Sequence, residues 1–165
     1  MRRLFALASA TLLAVALASP VAAGDPMRPI SSTLVGQVTY PPATQCLLPI
    51  ITTTDAAGVT THLGLTTMHS THCFAPPNRV TGGEMELTAA NGDQVFGTYE
   101  GTTVPDVPSV VGETVVVDFD IVITGGTGRF TGASGTMAGK AWVIFPGWQA
   151  PSWPARFALS GSIAY

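Results

Sequence analysis

The most constraining feature of this chain is a period of two in its apolar residues, which is clearest between Glu113 and Thr124. Valine, phenylalanine and isoleucine occupy every second position there, while threonine and aspartate occupy several of the positions between them. Because successive side chains of a β-strand point to opposite faces, this pattern predicts a strand with one buried face. No segment after Gly24 has helical periodicity. The sequence therefore predicts an all-β protein.

Seven further segments have strand character and are separated by Gly, Pro, Asn and Asp residues. They are Thr33 to Tyr40, Leu47 to Thr54, Val59 to Phe74, Gly83 to Ala89, Gln94 to Thr102, Ala133 to Phe145 and Ala155 to Tyr165. Asp55 to Gly58 is the predicted turn after the second of them, in which Pro49 marks an edge or a bulge. Eight antiparallel strands in chain order favour a closed up-and-down barrel, because closure removes exposed strand edges. A two-sheet sandwich is the alternative.

Asn91 and Gly92 form the strongest hairpin signal, since a two-residue type I′ turn needs a positive φ at both positions. A turn made of these two residues would place Leu87 opposite Phe96. Phe96 and Glu100 would then face the barrel interior, where a carboxylate could anchor a ligand. Glu100 also lies near the end of its strand, so a position in solvent at the rim is the alternative.

A glycine-rich run from Thr124 to Gly132 follows the clearest strand, where a dinucleotide-binding protein would hold a pyrophosphate. That chemistry needs a helix after the glycines, whereas the residues from Ala133 to Phe145 alternate at period two. The run also lacks the Lys-Ser or Lys-Thr pair of a P-loop. We therefore interpret it as a chain reversal, in which glycines adopt positive φ and Phe130 folds back onto the barrel end.

Three groups of turn residues resemble motifs of the allene oxide cyclase-like and dirigent-like barrels, a calycin-like group with bacterial secreted members. These groups are Ile123 to Phe130 with Gly132, Ala133 and Gly135, then Thr88 to Asp93, and Thr61 to Gly64. The resemblance extends over Thr33 to Tyr165 and implies a barrel with a lumen. Characterised plant members cyclise an unstable epoxide or steer the coupling of phenoxy radicals there. Their polar lumen residues have no matching motif here, so no catalytic residue is carried over.

The first 23 residues have the three parts of an export signal. Arg2 and Arg3 form a basic start, Leu4 to Ala18 is apolar, and small residues precede a cleavage site after Ala23. The apolar run is short for a bilayer span, which predicts no stable membrane insertion after cleavage. We expect residues 24–165 to form a single barrel domain that is secreted or periplasmic.

The net charge of the chain limits the classes of molecule that it is suited to bind. Seven basic residues stand against ten acidic ones in the full chain, giving a net charge of −3, and cleavage would remove two of the basic ones. An acidic chain without a cluster of Lys and Arg is poorly suited to bind nucleic acid or an anionic membrane. Oligomeric state is not indicated by the sequence.

Cys46 and Cys73 are the two cysteines of the chain, and in an exported protein they predict a disulfide. Two buried free thiols are the alternative. His69, His72 and Cys73 have a spacing that suggests a metal site. However, His69 and His72 point to opposite faces of a strand, and the disulfide occupies Cys73. No metal and no other cofactor is predicted.

Two further groups have both a functional and a structural interpretation. Asp118 and Asp120 share a face near Lys140, and we interpret them as a surface ion pair rather than as acid-base residues. Trp148 and Trp153 lie in a proline-rich segment, where their rings would cover an apolar ligand or cap the barrel end.

These patterns favour a non-catalytic protein that binds a small apolar molecule in the barrel lumen or mouth. The candidate ligand-binding residues are Phe96, Glu100, Trp148 and Trp153. An isomerase or cyclase of the type that the resemblance implies is one alternative, and it requires an inward Glu, His or Tyr with a perturbed pKa beside a cavity. A structural or inhibitory protein that binds another protein through its loops is the other.

Overall fold

Alternating polar and apolar residues produce eight β-strands, which are joined into a closed antiparallel barrel. The structure, a computed structural model, describes residues 25–48 and 50–165. The strands are β1 Arg28–Thr39, β2 Thr52–Thr60, β3 Gly64–Ala75, β4 Arg79–Ala89, β5 Gln94–Val104, β6 Thr114–Gly126, β7 Ser134–Ile144 and β8 Trp153–Ala164. Each strand pairs with its neighbours in the chain, and β1 closes the barrel by pairing with β8. The predicted up-and-down barrel is confirmed, and the alternative sandwich is wrong.

Helical structure is almost absent. One 3₁₀ turn, Gly128–Phe130, is the helical element of the described residues. Within residues 25–48 and 50–165, no helix has the length and apolar character that a membrane span requires. The predicted export signal and the predicted role of Pro49 lie outside the described residues.

The core lies inside the barrel and follows the alternation of the strands. In β6 the residues Val115, Val117, Ile121 and Ile123 are buried, whereas the aspartates between them are exposed, as predicted. Small inward residues alternate with large ones elsewhere. A β-carbon at Gly139 would lie 2.6 Å from Leu159 Cδ2, so glycine there makes room for the larger side chain.

The second strand differs from its prediction. Asp55 to Gly58 was expected to be a turn, but these residues lie inside β2, and the chain turns at residues 61–63 instead. Gly58 pairs with Leu34, and a β-carbon at this position would collide with the backbone of Thr33. Gly58 therefore serves a close approach between two strands rather than a turn.

The hairpin between β4 and β5 has a different register from the predicted one. Its loop has three residues rather than two, because the Ala89 amide donates to the Asp93 carbonyl at 2.9 Å and Gly92 alone has a positive φ, of 88°. This is the geometry of a type I turn followed by a left-handed glycine. Leu87 consequently pairs with Val95, so the predicted pairing with Phe96 is wrong.

The glycine-rich run is a chain reversal between β6 and β7, as predicted. Gly128 and Gly132 adopt φ values of 58° and 78°, which glycine tolerates best. Phe130 folds back into the end of the barrel and is 0% exposed. Its ring packs against Tyr165, with ring centroids 4.7 Å apart.

The two ends of the barrel have different connections. At the closed end, the short turns at residues 61–63, 90–93 and 127–133 meet around Phe130. At the open end, the longer loops at residues 40–51, 105–113 and 145–152 surround the barrel axis together with the turn at residues 76–78. The candidate site lies at the open end.

Candidate ligand-binding site

The open end encloses a cavity of about 500 Å³. Inward side chains of several strands form its walls, and most of them are apolar. They include Val38, Val115, Val117, Val143 and Phe157. Towards the closed end the interior is filled, and a void of only about 20 Å³ remains beside Met68, Met85 and Ile121. The lumen is therefore open in one half of the barrel and packed in the other.

The loops around the open end complete the cavity. Tyr40, Leu48 and Ile50 line it from the first loop. A disulfide between Cys46 and Cys73 fixes this loop to β3, with the two α-carbons 5.3 Å apart. The predicted pairing of the cysteines is confirmed, and the alternative of free thiols is wrong.

The two predicted tryptophans both line the cavity, but in different ways. Trp153 is the first residue of β8 and is buried, with its ring 4.7 Å from Tyr40 and 4.9 Å from Phe145 between centroids. Trp148 lies at the rim and is 64% exposed, although it contacts the same Phe145 ring at 4.9 Å. Trp142 does not join them, because it lies on the other face of the sheet beneath the Arg156 guanidinium.

His72 is a buried titratable group of the cavity wall. It is 9% exposed, and its Nδ1 lies 2.9 Å from the Tyr99 hydroxyl. Burial lowers the pKa of His72 to about 4, so the imidazole is neutral at neutral pH. Burial also raises the pKa of Tyr99 to about 12, against the opposing effect of a hydrogen bond with Ser70.

A glycine allows this pair to form across an intervening strand. His72 lies in β3 and Tyr99 in β5, so the tyrosine must cross β4 at the irregularity between Val80 and Gly83. A β-carbon at Gly83 would lie 2.5 Å from the Tyr99 ring. The absence of a side chain at Gly83 therefore lets Tyr99 lie over β4 and reach His72.

The one hydroxyl hydrogen of Tyr99 has two acceptors within reach. They are the Thr71 carbonyl at 3.3 Å and, when it is unprotonated, Nδ1 of His72 at 2.9 Å. Donation to Nδ1 leaves the imidazole hydrogen on Nε2, whereas donation to the carbonyl leaves it on Nδ1 and makes Nε2 a hydrogen-bond acceptor.

Thr103 is a second polar residue of the wall. It is 7% exposed, and its hydroxyl oxygen has no hydrogen-bond partner among the described residues. An unpaired buried hydroxyl costs about 1–3 kcal/mol of folding free energy. A rotation about its Cα–Cβ bond exchanges the hydroxyl with the methyl group and offers a different direction for a hydrogen bond.

Phe96 and Glu100 lie away from the cavity, on the outer face of the barrel. The three-residue hairpin loop places Val95, Gly97 and Tyr99 inside and shifts both predicted residues to the outside. Glu100 pairs with Arg79 at 3.3 Å in an exposed ion pair. The predicted inward orientation of both residues is therefore wrong, and the structure does not bring them together with the two tryptophans.

The remaining candidate groups are also on the outside or at the closed end. Asp118 pairs with Lys140 on the outer face, as expected. His69 bonds to Asp55 at 2.8 Å, and the Nε2 of His62 contacts the Pro29 carbonyl at 2.9 Å. Residues 25–48 and 50–165 contain no cluster of three side chains that could hold a metal ion.

Sequence reasoning missed His72 and Tyr99 as residues of the site. From the sequence, His72 is interpreted only as a possible metal ligand, and the predicted hairpin register, which places Glu100 inside, implies an outward Tyr99. A signal was present for His72, because Met68, Ser70 and His72 alternate inward along β3. There was none for Tyr99, since the acceptor that closes the longer loop is the backbone carbonyl of Asp93, which any residue would supply.

Comparisons of the chain with protein-family models, with curated proteins and with solved structures found no match.

Proposed function

We propose that this chain binds a small, largely apolar molecule in the cavity at the open end of the barrel. The observation that carries the proposal is the cavity of about 500 Å³, whose walls are mostly apolar side chains, including those of Val, Phe and Trp. Pockets for small molecules have volumes of roughly 300–1,000 Å³ and mainly apolar walls with few polar groups. His72 and Thr103 supply polar groups of this kind.

The rim of the cavity supports entry from solvent at this end. Trp148 is exposed there, and further exposed apolar residues lie on the same set of loops. They are Leu47, Ile50, Val107, Val110 and Val111. The described turns of the closed end expose no large apolar residue. An apolar ligand would therefore meet apolar side chains both outside and inside the mouth.

A cyclase or isomerase is the second candidate, and the His72–Tyr99 pair beside the cavity is the observation that favours it. Its pKa values weigh against proton transfer. An efficient general base has a pKa near the working pH, whereas His72 has a pKa of about 4 and Tyr99 one of about 12. A neutral histidine and a neutral tyrosine are better suited to orient a bound molecule.

We further propose that the protein works in an oxidising compartment, secreted or periplasmic. The Cys46–Cys73 disulfide supports this, because such bonds persist mainly outside the reducing cytosol. The export signal expected in residues 1–23 agrees with it.

A fluorescence titration with N-phenyl-1-naphthylamine tests the binding proposal. We expect a saturable increase in fluorescence with the unmodified protein. Val143→Phe fills the cavity and should weaken binding by roughly tenfold, equivalent to about 1.4 kcal/mol. Ile144→Phe is the matched control, since Ile144 is the next residue of β7 and is exposed. Equal binding by both variants would contradict the proposal.

Ligand recovered from the purified protein separates binding from isomerisation. The extracted molecule is incubated with fresh protein and compared by mass and chromatographic retention before and after. A binder returns it unchanged. A product of the same mass but different retention would instead support the second candidate.

A further inference from the structure

We assign the Tyr99 hydroxyl hydrogen to the Thr71 carbonyl, a group that can only accept, and this makes Nε2 of His72 an acceptor without a donor among the described residues. His72 lines the cavity, and its only hydrogen bond with the described residues is made through Nδ1. Nε2 is not fully buried. Because His72 lines the cavity, the accessible surface of this nitrogen faces the cavity. A bound molecule with a hydrogen-bond donor would satisfy it.

The charges of the described chain argue against an anionic ligand. Among the described residues, no Lys or Arg lines the cavity, and each of them has a partner elsewhere. Arg79 and Lys140 form ion pairs on the outer face, and Arg156 lies over Trp142. At the closed end, Arg28 lies over Tyr165 and Arg129 pairs with Asp93. A carboxylate in the cavity would be buried without a counter-charge, at a large cost in free energy.

A cationic ligand is disfavoured for a similar reason. Asp106 is the charged side chain among the described lining residues, and it is exposed at the rim. An ammonium group bonded to His72 would be buried beside Thr52 and Tyr99 with no carboxylate among the buried described residues of the wall, and burial of a charge without a counter-charge is unfavourable. A neutral donor group has neither penalty.

From these contacts we propose that the cavity selects a neutral, largely apolar molecule with a hydroxyl group, which donates a hydrogen bond to Nε2 of His72. Thr103 lines the same cavity, and its unpaired hydroxyl is a second polar group that becomes accessible to a ligand once that side chain rotates. This inference rests on the proposed function, because it names the class of ligand for the same cavity.

The test is displacement of N-phenyl-1-naphthylamine at neutral pH by four unbranched probes of equal length. They are 1-decanol, its isomer 1-methoxynonane, decanoate and decylammonium. Decanol and the ether have the same atoms, but only decanol donates a hydrogen bond. We expect decanol to displace the fluorophore at about three- to tenfold lower concentration than the ether, the usual net effect of one hydrogen bond. Both charged probes should be weaker than decanol.

Two variants assign the preference to one residue. His72→Phe keeps an aromatic ring and removes the acceptor, so the ratio between decanol and the ether should fall to about one. His69→Phe is the matched control, because His69 lies on the same strand but on its outer face. It should leave the ratio unchanged.

A nitrogen-15 NMR measurement on the unmodified protein keeps the test independent of the folding of any variant. Nε2 of His72 should resonate as an unprotonated nitrogen, and decanol should shift this resonance more than the ether does. Failure of the fluorophore to bind would overturn the proposed function and the inference together. Fluorophore binding with equal affinities for decanol and the ether, or with a charged probe tightest, would overturn the inference alone.

Discussion

The closed and open ends of this barrel are made by the same eight strands, yet one is filled and the other holds a cavity. Three short turns converge at the closed end, and Phe130 from the longest of them inserts into the barrel. Longer loops at the open end stay at the rim, where aromatic residues pack against one another around the opening and do not fill it. The connections therefore decide which half of the lumen is accessible.

The polar groups differ between the ends in the same way. At the closed end, the Arg129 guanidinium donates to the His62 carbonyl and pairs with Asp93 at 3.4 Å, so turns are tied to one another. At the open end, His72 makes one hydrogen bond through Nδ1, and the buried Thr103 hydroxyl has no partner among the described residues. Groups at the closed end stabilise the fold, whereas groups at the open end are available to a ligand.

The largest expected effect is that of Phe130→Ala, which removes the plug. Phe130 is fully buried, and such truncations cost about 3–5 kcal/mol of unfolding free energy. Denaturant unfolding measures the loss. The matched variant at the other end is Trp148→Ala, which should cost less than about 1 kcal/mol because the side chain is exposed. Equal losses would remove the distinction between a plugged end and an open one.

Removal of the disulfide by the double variant Cys46→Ser, Cys73→Ser comes next. The bond joins residues 27 positions apart, so the chain-entropy relation gives a loss of about 3.5 kcal/mol. The loop that carries Leu48 and Ile50 should also loosen, which weakens N-phenyl-1-naphthylamine binding. Unfolding and titration of the same samples measure both effects. A destabilised protein with unchanged affinity would show that this loop does not shape the cavity.

Acid should destabilise the open end through His72. Its folded pKa of about 4 lies below the usual 6.5, so the unfolded chain binds this proton more readily. The free energy of unfolding is therefore highest above about pH 6.5 and declines as the pH falls towards 4. The total decrease is about 3 kcal/mol. Unfolding curves across this range are compared with those of His72→Gln. The difference between the two proteins should depend on pH in this window, and a constant difference would contradict the assigned burial.

The smallest effect is expected on the outer surface. Glu100→Gln breaks an exposed ion pair with Arg79 and should change the unfolding free energy by less than about 1 kcal/mol. Binding of the fluorophore should not change, because the carboxylate lies outside the barrel. A clear loss of affinity would restore Glu100 as a ligand-binding candidate and require a different site.

The sequence was sufficient for the barrel because the alternation in β6 and β8 leaves one choice of buried face. It was insufficient for the site because a difference of one residue in the length of a turn moves every following side chain of the strand to the other face of the sheet. The loop after Ala89 contains three residues, and this difference exchanges Glu100 for Tyr99 inside the barrel. The predicted alternation of faces along β3 was correct, so His72 was placed on the opposite face from His69.

Two other features depend on contacts that are distant in the chain. Gly58 was interpreted as a turn residue because its local sequence resembles one, whereas its role is to accommodate the backbone of Thr33. The depressed pKa of His72 results from burial by several strands. Periodicity predicts which residues face inward, but it carries no information about how loops from separate hairpins fill or leave open the space between them.

The pairing of β1 with β8 makes the order of synthesis important. Arg28 lies opposite Ile163 and Val38 opposite Trp153, so the first strand to emerge obtains its second partner only from the last. Until then, a nascent or truncated chain presents two unpaired strand edges, which are templates for association with other chains. Loss of a few residues from either terminal strand should therefore produce aggregation rather than a smaller soluble sheet.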